Sequence, residues 1–244
     1  VSLGLIHRGQ SASVMFEATP DLPSQWASLY EQSTASQPSF IFLTHAHMGH
    51  YSGLMHLGRE ALGAQGVRVA AMPRMVNFLT TNGPWSQLVD LGNIELVPLE
   101  DNRPLPVFDG DVQVTPLRVP HRDEFSETVG YRIDGPNRSA LFIPDIDKWT
   151  IWGRSLVEEL SRVDYAFVDA TFYDSAEVNH RDMLEIPHPF VVETMDALTQ
   201  LPSEGRAKVH FIHMNHTNPL LDADSEASQY VESQGFHVAR EGMS

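Results

Sequence analysis

The sequence predicts an α/β fold with a mixed β-sheet, and three observations support this prediction. Short runs of apolar and β-branched residues recur along the 244-residue chain, and several form pairs around glycine-containing turns. Further along, such runs alternate with segments of helical period. Hydrophobic residues make up 42% of the chain, which is enough for a sizeable core. Hairpins give antiparallel strand pairs and strand–helix–strand units give parallel ones, so helices layered on a mixed sheet are expected.

The first half of the chain contains a clear strand signal, the apolar run FIFLT at Phe40–Thr44. Gly63 suits the C-terminus of a following helix, and Pro73 occupies the first helical position that proline favours. The predicted elements are a hairpin of residues 2–7 and 13–18 around Gly9, a strand Phe40–Thr44, a helix Ser52–Gly63, a strand Val67–Ala71, a helix opened by Pro73, a strand Asn93–Leu99, and two strands within 106–119 that turn at Asp109-Gly110.

The second half begins with a hairpin signal, because the turn-forming run Asp134-Gly135-Pro136-Asn137 separates two apolar segments. Strands and helices then alternate. The predicted elements are strands Thr128–Ile133 and Ser139–Ile143, a helix Arg154–Arg162, a strand Tyr165–Asp169, a helix Pro189–Leu201, a strand Lys208–His213, a helix Ala223–Ser233 and a strand Phe236–Arg240.

Composition and charge exclude several classes of function. The chain has 32 acidic and 16 basic residues and a net charge of −16, which repels nucleic acid. It has no cysteine, so disulfides and thiolate metal sites are excluded, and it has no apolar run long enough to span a membrane. We expect a single domain over 1–244 that acts on a small molecule. The chain begins with Val1, so we expect that a native N-terminal segment is missing. Cytoplasmic and exported locations both stay open.

Twelve histidines are the unusual feature of the composition, and three of them lie together in Thr44-His45-Ala46-His47-Met48-Gly49-His50. This segment comes directly after the apolar strand and before a helix. His45 and His47 are two residues apart, so they project to the same side of extended backbone, and His50 can turn back towards the same point. Imidazole suits zinc, and also iron or manganese when oxygen ligands join it. The segment therefore predicts a metal site.

The histidine motif resembles that of the metallo-β-lactamase superfamily, which has His-x-His-x-Asp-His after a strand. In that family a distant His, a distant Asp and a last His follow, each at a strand end. His121, Asp145 and His213 match these positions in order. The resemblance implies an αββα four-layer sandwich of two mixed β-sheets flanked by helices, with the metal site at one edge of the sheets.

The resemblance also implies a ligand set and a reaction. One or two Zn²⁺ ions, or Fe or Mn, would be bound, and metal-bound hydroxide would attack a small phosphodiester or ester-like bond. Asp145 would bridge the two metals and take part in catalysis, although Asp147 is a rival for it. The implied metal ligands are His45, His47, His50, His121, Asp145 and His213.

One position departs from the family pattern, because Gly49 replaces the family's aspartate. Glycine can neither bind a second metal nor accept a proton. The site could hold only the first metal, or His216 could substitute, or the protein could have moved away from hydrolysis. His216 is also a candidate catalytic residue as a proton donor or oxyanion stabiliser.

The later segments supply candidate substrate-binding residues, namely His188, Asn215 and Asn218. His188 precedes a predicted helix start, where the helix dipole would lower its pKa and favour the neutral ring. A surface loop is expected for His180. These segments resemble the phosphodiesterase branch of the superfamily and also the pyrroloquinoline-quinone biosynthesis protein B branch. The second resemblance implies an alternative, a metal-dependent oxidase or hydroxylase. A metal-binding protein with a degenerate site is a further alternative, supported by Gly49.

Overall fold

The computed structural model describes residues 1–33, 35–178 and 186–243, and the chain divides into two compact units. The first unit comprises Val1–Arg118 and Arg122–Val129, and the second comprises Val119–His121 and Gly130–Ser244. Strands and helices occur in both, so the predicted α/β class with mixed sheets is confirmed. Among the helices of the described chain, none combines the length and apolar character needed to cross a bilayer.

The first unit contains a five-stranded sheet in the order β1-β2-β3-β4-β5. The β1–β2 hairpin is antiparallel, whereas β2 to β5 pair in parallel, because helical segments separate them. A second hairpin follows as β6 and β7. The strands are β1 Leu3–His7, β2 Ala12–Phe16, β3 Phe40–Phe42, β4 Val67–Ala71, β5 Ile94–Pro98, β6 Leu105–Val107 and β7 Val112–Arg118.

Helices α1 Leu22–Ser33, α2 Met48–Tyr51, α3 Pro73–Thr81 and α4 Trp85–Asp90 complete the first unit. They pack a buried apolar core that includes Leu22, Ile41, Leu54 and Val69. Helices α1 and α4 were not predicted from the sequence.

The predicted helix Ser52–Gly63 is wrong in its bounds. The chain is helical earlier, in α2, and Ser52–Leu57 is a 3₁₀ helix. The backbone N–H of Gly53 donates to the carbonyl of Ala18 at 2.8 Å, which ties this turn to the segment after β2. That packing, rather than an apolar stripe of helical period, sets the local structure.

The second unit contains the strands β8 Val129–Asp134, β9 Ser139–Ile143, β10 Tyr165–Asp169, β11 Val209–Ile212 and β12 His237–Val238. Hairpin β8–β9 is antiparallel, and β9, β10, β11 and β12 pair in parallel in that order. The helices are α5 Leu156–Ser161, α6 Val191–Ala197, α7 Ser203–Arg206 and α8 Glu226–Ser233.

All three helices predicted for this unit begin later than expected. Helix α5 begins at Leu156 rather than Arg154, because the side chain of Ser155 accepts a hydrogen bond from the backbone N–H of Glu158. The predicted helix Pro189–Leu201 begins at Val191, because the backbone N–H of Val191 bonds to the carbonyl of Phe172 and Phe190 is the N-cap. Helix α8 begins at Glu226 rather than Ala223, because the Ser225 side chain accepts a hydrogen bond from the backbone N–H of Ser228.

We predict that Gly53→Ala destabilises the protein by about 1–3 kcal/mol, the usual cost of an extra methyl group in a close-packed site. A Cβ atom at Gly53 would lie 2.0 Å from the carbonyl oxygen of Thr19 and 2.8 Å from Cβ of Leu22. Gly49→Ala is the matched control, since a Cβ atom there meets nothing within 4 Å. Thermal and urea unfolding measure both variants. Equal unfolding free energies for the two would contradict the packing described here.

Candidate metal centre

The histidine motif of the first unit starts where strand β3 ends. The backbone N–H of Leu43 donates to the carbonyl of Ala70 on β4, and the chain then leaves the sheet. The backbone N–H of Ala46 donates to Oγ of Ser126 at 2.8 Å, and His47 is the N-cap of α2. The motif is therefore held by its own strand end and by the 122–128 segment of the same unit.

The three histidine rings of this motif gather in one place, as the sequence predicted. The ring centroids of His45 and His47 are 4.4 Å apart, and those of His45 and His50 are 4.2 Å apart. Nε2 of His45 lies 2.8 Å from Nδ1 of His47. Two ring nitrogens this close can share one proton, and a cation could take the place of that proton.

The opposite nitrogen of each ring lies against an oxygen atom. Nδ1 of His45 is 2.9 Å from Oγ1 of Thr44, and Nε2 of His47 is 3.1 Å from a carboxylate oxygen of Glu124. Nδ1 of His50 is 3.4 Å from a carboxylate oxygen of Glu17. Oxygen partners on the outer nitrogens fix the tautomer and orientation of metal-binding histidines. The arrangement therefore fits a group of histidines built to bind a cation through the inner nitrogens.

Strand topology collects the candidate residues of the second unit. Strands β9, β10 and β11 are parallel, so their carboxyl ends lie at one edge of the sheet. Asp145 follows β9, Asp169 ends β10, and His213 follows β11. Asp145, Asp169 and His188 each offer an atom within 4.8 Å of the others, close enough to share a cation.

The Asp169 carboxylate organises this edge although it is completely buried. One oxygen accepts from the backbone N–H and the hydroxyl of Thr171, each at 2.7 Å. The other accepts from the backbone N–H of Ile146 at 3.1 Å and from Nδ1 of His188 at 2.9 Å. Four hydrogen bonds to one carboxylate compensate for its burial. They also fix the backbone next to Asp145, the His188 ring and Thr171.

His121 lies between two carboxylates, which separates the roles of the rival aspartates. Its Nε2 is 3.3 Å from Asp145, and its Nδ1 is 3.0 Å from Asp147. Burial lowers the pKa of His121, but hydrogen bonds to Asp145 and Asp147 outweigh it, so the pKa is raised. Asp145 is buried and also lies 3.2 Å from His188. Asp145 thus occupies the ligand-like position, and Asp147 is placed to orient the ring.

The sequence-based prediction for the protonation of His188 is wrong. Burial does lower its pKa, but the carboxylates of Asp169 and Asp145 outweigh burial and raise the pKa to about 9. Helix α6 begins at Val191, three residues further on, so its dipole acts less closely than the two carboxylates. In the metal-free protein His188 is therefore a cation at neutral pH.

Thr171 determines which nitrogen of His213 faces away from it. The Thr171 hydroxyl donates its proton to Asp169, so it can only accept from Nδ1–H of His213, which lies 3.0 Å away. Nε2 is consequently the basic nitrogen of His213. This residue has a positive φ of 64°, so strand β11 ends one residue before the predicted His213.

The loop after His213 contains the remaining candidates, and one of them, Asn218, is buried. Asn218 is 2% exposed, its amide nitrogen donates to the carbonyl of Ala170 at 2.6 Å, and its oxygen accepts from the backbone N–H of Leu220 at 2.9 Å. These contacts tie the loop to the end of β10, and the contact of Asn218 with substrate stays a prediction. His216 is exposed, and its Nδ1 lies 3.1 Å from Oδ1 of Asn215. His180 lies outside the residues that the structure describes.

The residues in each unit fit a divalent cation of the zinc or iron type, since each unit offers imidazoles with an oxygen partner on one nitrogen. Sequence reasoning did not identify Glu17, Glu124 or Thr171 as parts of this arrangement. Glu17 and Glu124 are 33 and 74 residues from His50 in the chain, so no local spacing indicates them. Thr171 was visible only as part of the Asp169-Ala170-Thr171-Phe172 strand end.

Comparisons with known proteins agree with this arrangement. Residues 13–214 match the family model of the beta-lactamase superfamily domain. The chain is 27% identical to coenzyme PQQ synthesis protein B of Rhizobium meliloti over 270 residues, covering 99% of this chain and 84% of the relative. Two solved structures share the fold. Zn²⁺-bound PqqB from Methylobacterium extorquens has a TM-score of 0.77 at 19% identity, covering 99% of this chain and 84% of that one. A diphosphatase from the PhnP family has a TM-score of 0.60 at 19% identity, covering 96% and 79%.

We predict that Asp169→Asn lowers the pKa of His188 well below 9 in the metal-free protein, because Asp169 is the largest source of the raised value. NMR titration of the His188 ring protons measures this change. Asp147→Asn is the matched control, since Asp147 makes the smallest contribution to the same pKa. A pKa that stays near 9 in Asp169→Asn would contradict the network described here.

Proposed function

The chain belongs to the β-lactamase superfamily, and from this membership we propose that it is a metal-dependent hydrolase of a small phosphodiester or ester-like substrate. The observation that carries the proposal is the convergence of three histidine rings, with Nε2 of His45 at 2.8 Å from Nδ1 of His47. The fold shared with a diphosphatase also supports it. The proposed cofactor is one or two zinc ions, with iron or manganese as alternatives.

The proposed ligand set follows the family order. His45, His47 and His121 would hold the first metal, Asp145 would bridge, and His50 and His213 would help hold the second. When bound, a divalent cation lowers the pKa of water and polarises the bond to be broken. The imidazoles are neutral ligands, so they leave most of the cation's charge available for this chemistry.

The chain's own residues would bind the substrate and move the proton. We propose that His188 binds an anionic group, because its Nδ1 is held by Asp169 and the carboxylates of Asp169 and Asp145 raise the pKa of its ring. We propose that His216 donates a proton to the leaving oxygen, with Asn215 orienting its ring. The acidic chain, with its net charge of −16, favours a small substrate over a nucleic acid.

A second candidate function is oxidation or hydroxylation, and the similarity to coenzyme PQQ synthesis protein B supports it. The two functions differ in metal and co-substrate. If the protein is a hydrolase, elemental analysis of protein purified without added metal is expected to find zinc. An oxygen electrode is then expected to show no oxygen uptake. A single iron together with oxygen consumption on a phenolic or peptide substrate would favour the oxidase. Tight metal binding without either activity would favour a metal-binding protein that has lost its chemistry.

We predict that His45→Ala and His121→Ala each lower phosphodiesterase activity more than about 100-fold and reduce the bound metal, because each removes a proposed ligand. An aryl phosphodiester provides the activity measurement, and elemental analysis gives the metal content. His237→Ala is the matched control, since His237 is exposed on β12 and lies outside both histidine groups. Turnover like that of the unmodified protein in both ligand variants would rule out the proposed site.

A further inference from the structure

Glu17 is a buried carboxylate whose backbone is held in place by two hydrogen bonds, one from Glu17 itself and one from the next residue. Its backbone N–H donates to the carbonyl of Phe42 at 2.8 Å, and the next residue, Ala18, bonds to the carbonyl of His50 at 2.9 Å. Glu17 has a positive φ of 77°, an uncommon conformation for a residue other than glycine. The backbone therefore keeps the Glu17 side chain against His50 at some conformational cost.

The surroundings of this carboxylate are unusual. The side chain is 0% exposed, and within the described chain neither of its oxygens accepts a hydrogen bond that meets the usual geometric criteria. One oxygen lies 3.4 Å from Nδ1 of His50, which is itself only 4% exposed. A buried charge without hydrogen bonds is costly unless a positive charge compensates for it.

The position of the missing family aspartate lies next to His50. A Cβ atom at Gly49 would meet nothing within 4 Å, so there is space for a side chain at the place where the chain has none. The residue next to it in sequence, His50, lies against the Glu17 carboxylate. The chain therefore lacks the family's carboxylate at the residue before His50, and it has a buried carboxylate, that of Glu17, against the His50 ring.

We propose that Glu17 is a positioning residue for a second metal ion: its carboxylate lies against Nδ1 of His50, which leaves Nε2 to face the metal, and its charge replaces the electrostatic contribution that Gly49 cannot make. A histidine whose outer N–H is bound to a carboxylate is a more basic ligand, so part of the carboxylate's charge is felt at the metal. This inference rests on the proposed function, because it concerns the same site.

The first test counts metal ions by elemental analysis and measures their affinities by zinc titration calorimetry. We expect two ions in the unmodified protein and an about 10–100-fold weaker second site in Glu17→Gln, which keeps the size but removes the charge. We expect Glu17→Gln/Gly49→Asp to regain the second ion, because Gly49 has room for the new carboxylate.

These outcomes separate the inference from the proposed function. Two ions bound with unchanged affinity in Glu17→Gln would overturn the inference and leave a metal-dependent hydrolase intact. One bound ion in the unmodified protein would also overturn the inference and leave the proposed hydrolase intact. No bound metal at all would overturn both.

The second test uses the metal-free protein and a second substitution of Glu17, so it does not depend on the metal count of Glu17→Gln. Long-range ¹H–¹⁵N spectra of the metal-free protein are expected to find His50 protonated at Nδ1, with Nε2 bare. Glu17→Met removes the acceptor at similar volume, and we expect the His50 tautomer preference to shift towards protonated Nε2. Glu17→Gln keeps an acceptor oxygen and is expected to preserve the tautomer. The same His50 tautomer in Glu17→Met as in the unmodified protein would overturn the positioning role.

Discussion

In each proposed histidine ligand, one ring nitrogen lies against an oxygen atom of the same compact unit, and the proposed metal binding depends on this constraint. Thr44, Glu124 and Glu17 hold the histidines of the first unit. Asp147 and Thr171 hold His121 and His213 in the second. A ring fixed in this way presents one defined nitrogen, so little rotational freedom is lost when a cation binds. The fold places these oxygen partners through its strand ends and through the segments that follow them.

The fold class and most of the candidate ligand positions at strand ends could be predicted from the sequence, because both depend on local signals. An apolar run followed by a polar residue marks a strand end, as at Ile143 before Asp145 and Ile212 before His213. The oxygen partners that are distant in the chain could not be predicted, because a contact such as that between Glu124 and His47 spans 77 residues and exists only in the folded chain. Helix α1 was missed because few of its residues are buried, so its sequence has no strong apolar stripe.

The candidate substrate-binding residues differ in their surroundings. Tertiary contacts, rather than residue type, decide whether a polar side chain can meet a ligand. The amide of Asn218 bonds to Ala170, Thr171 and Leu220, whereas the buried carboxylates of Asp169 and Asp145 raise the pKa of His188. Imidazole and carboxylate ligands without thiolate suit both zinc and iron, so the fold alone does not separate hydrolysis from oxidation. We propose that the reaction depends on the metal and on the substrate that His188 would bind.

The assignment of the ligand nitrogens is the central claim, and zinc titration followed by long-range ¹H–¹⁵N NMR tests it most directly. We predict large zinc-dependent ¹⁵N shifts at Nε2 of His45 and Nδ1 of His47, the two nitrogens that lie 2.8 Å apart. Nδ1 of His45 and Nε2 of His47, which face Thr44 and Glu124, are expected to stay protonated. Zinc-dependent shifts at these outer nitrogens instead, or no shift at saturating zinc, would contradict the account.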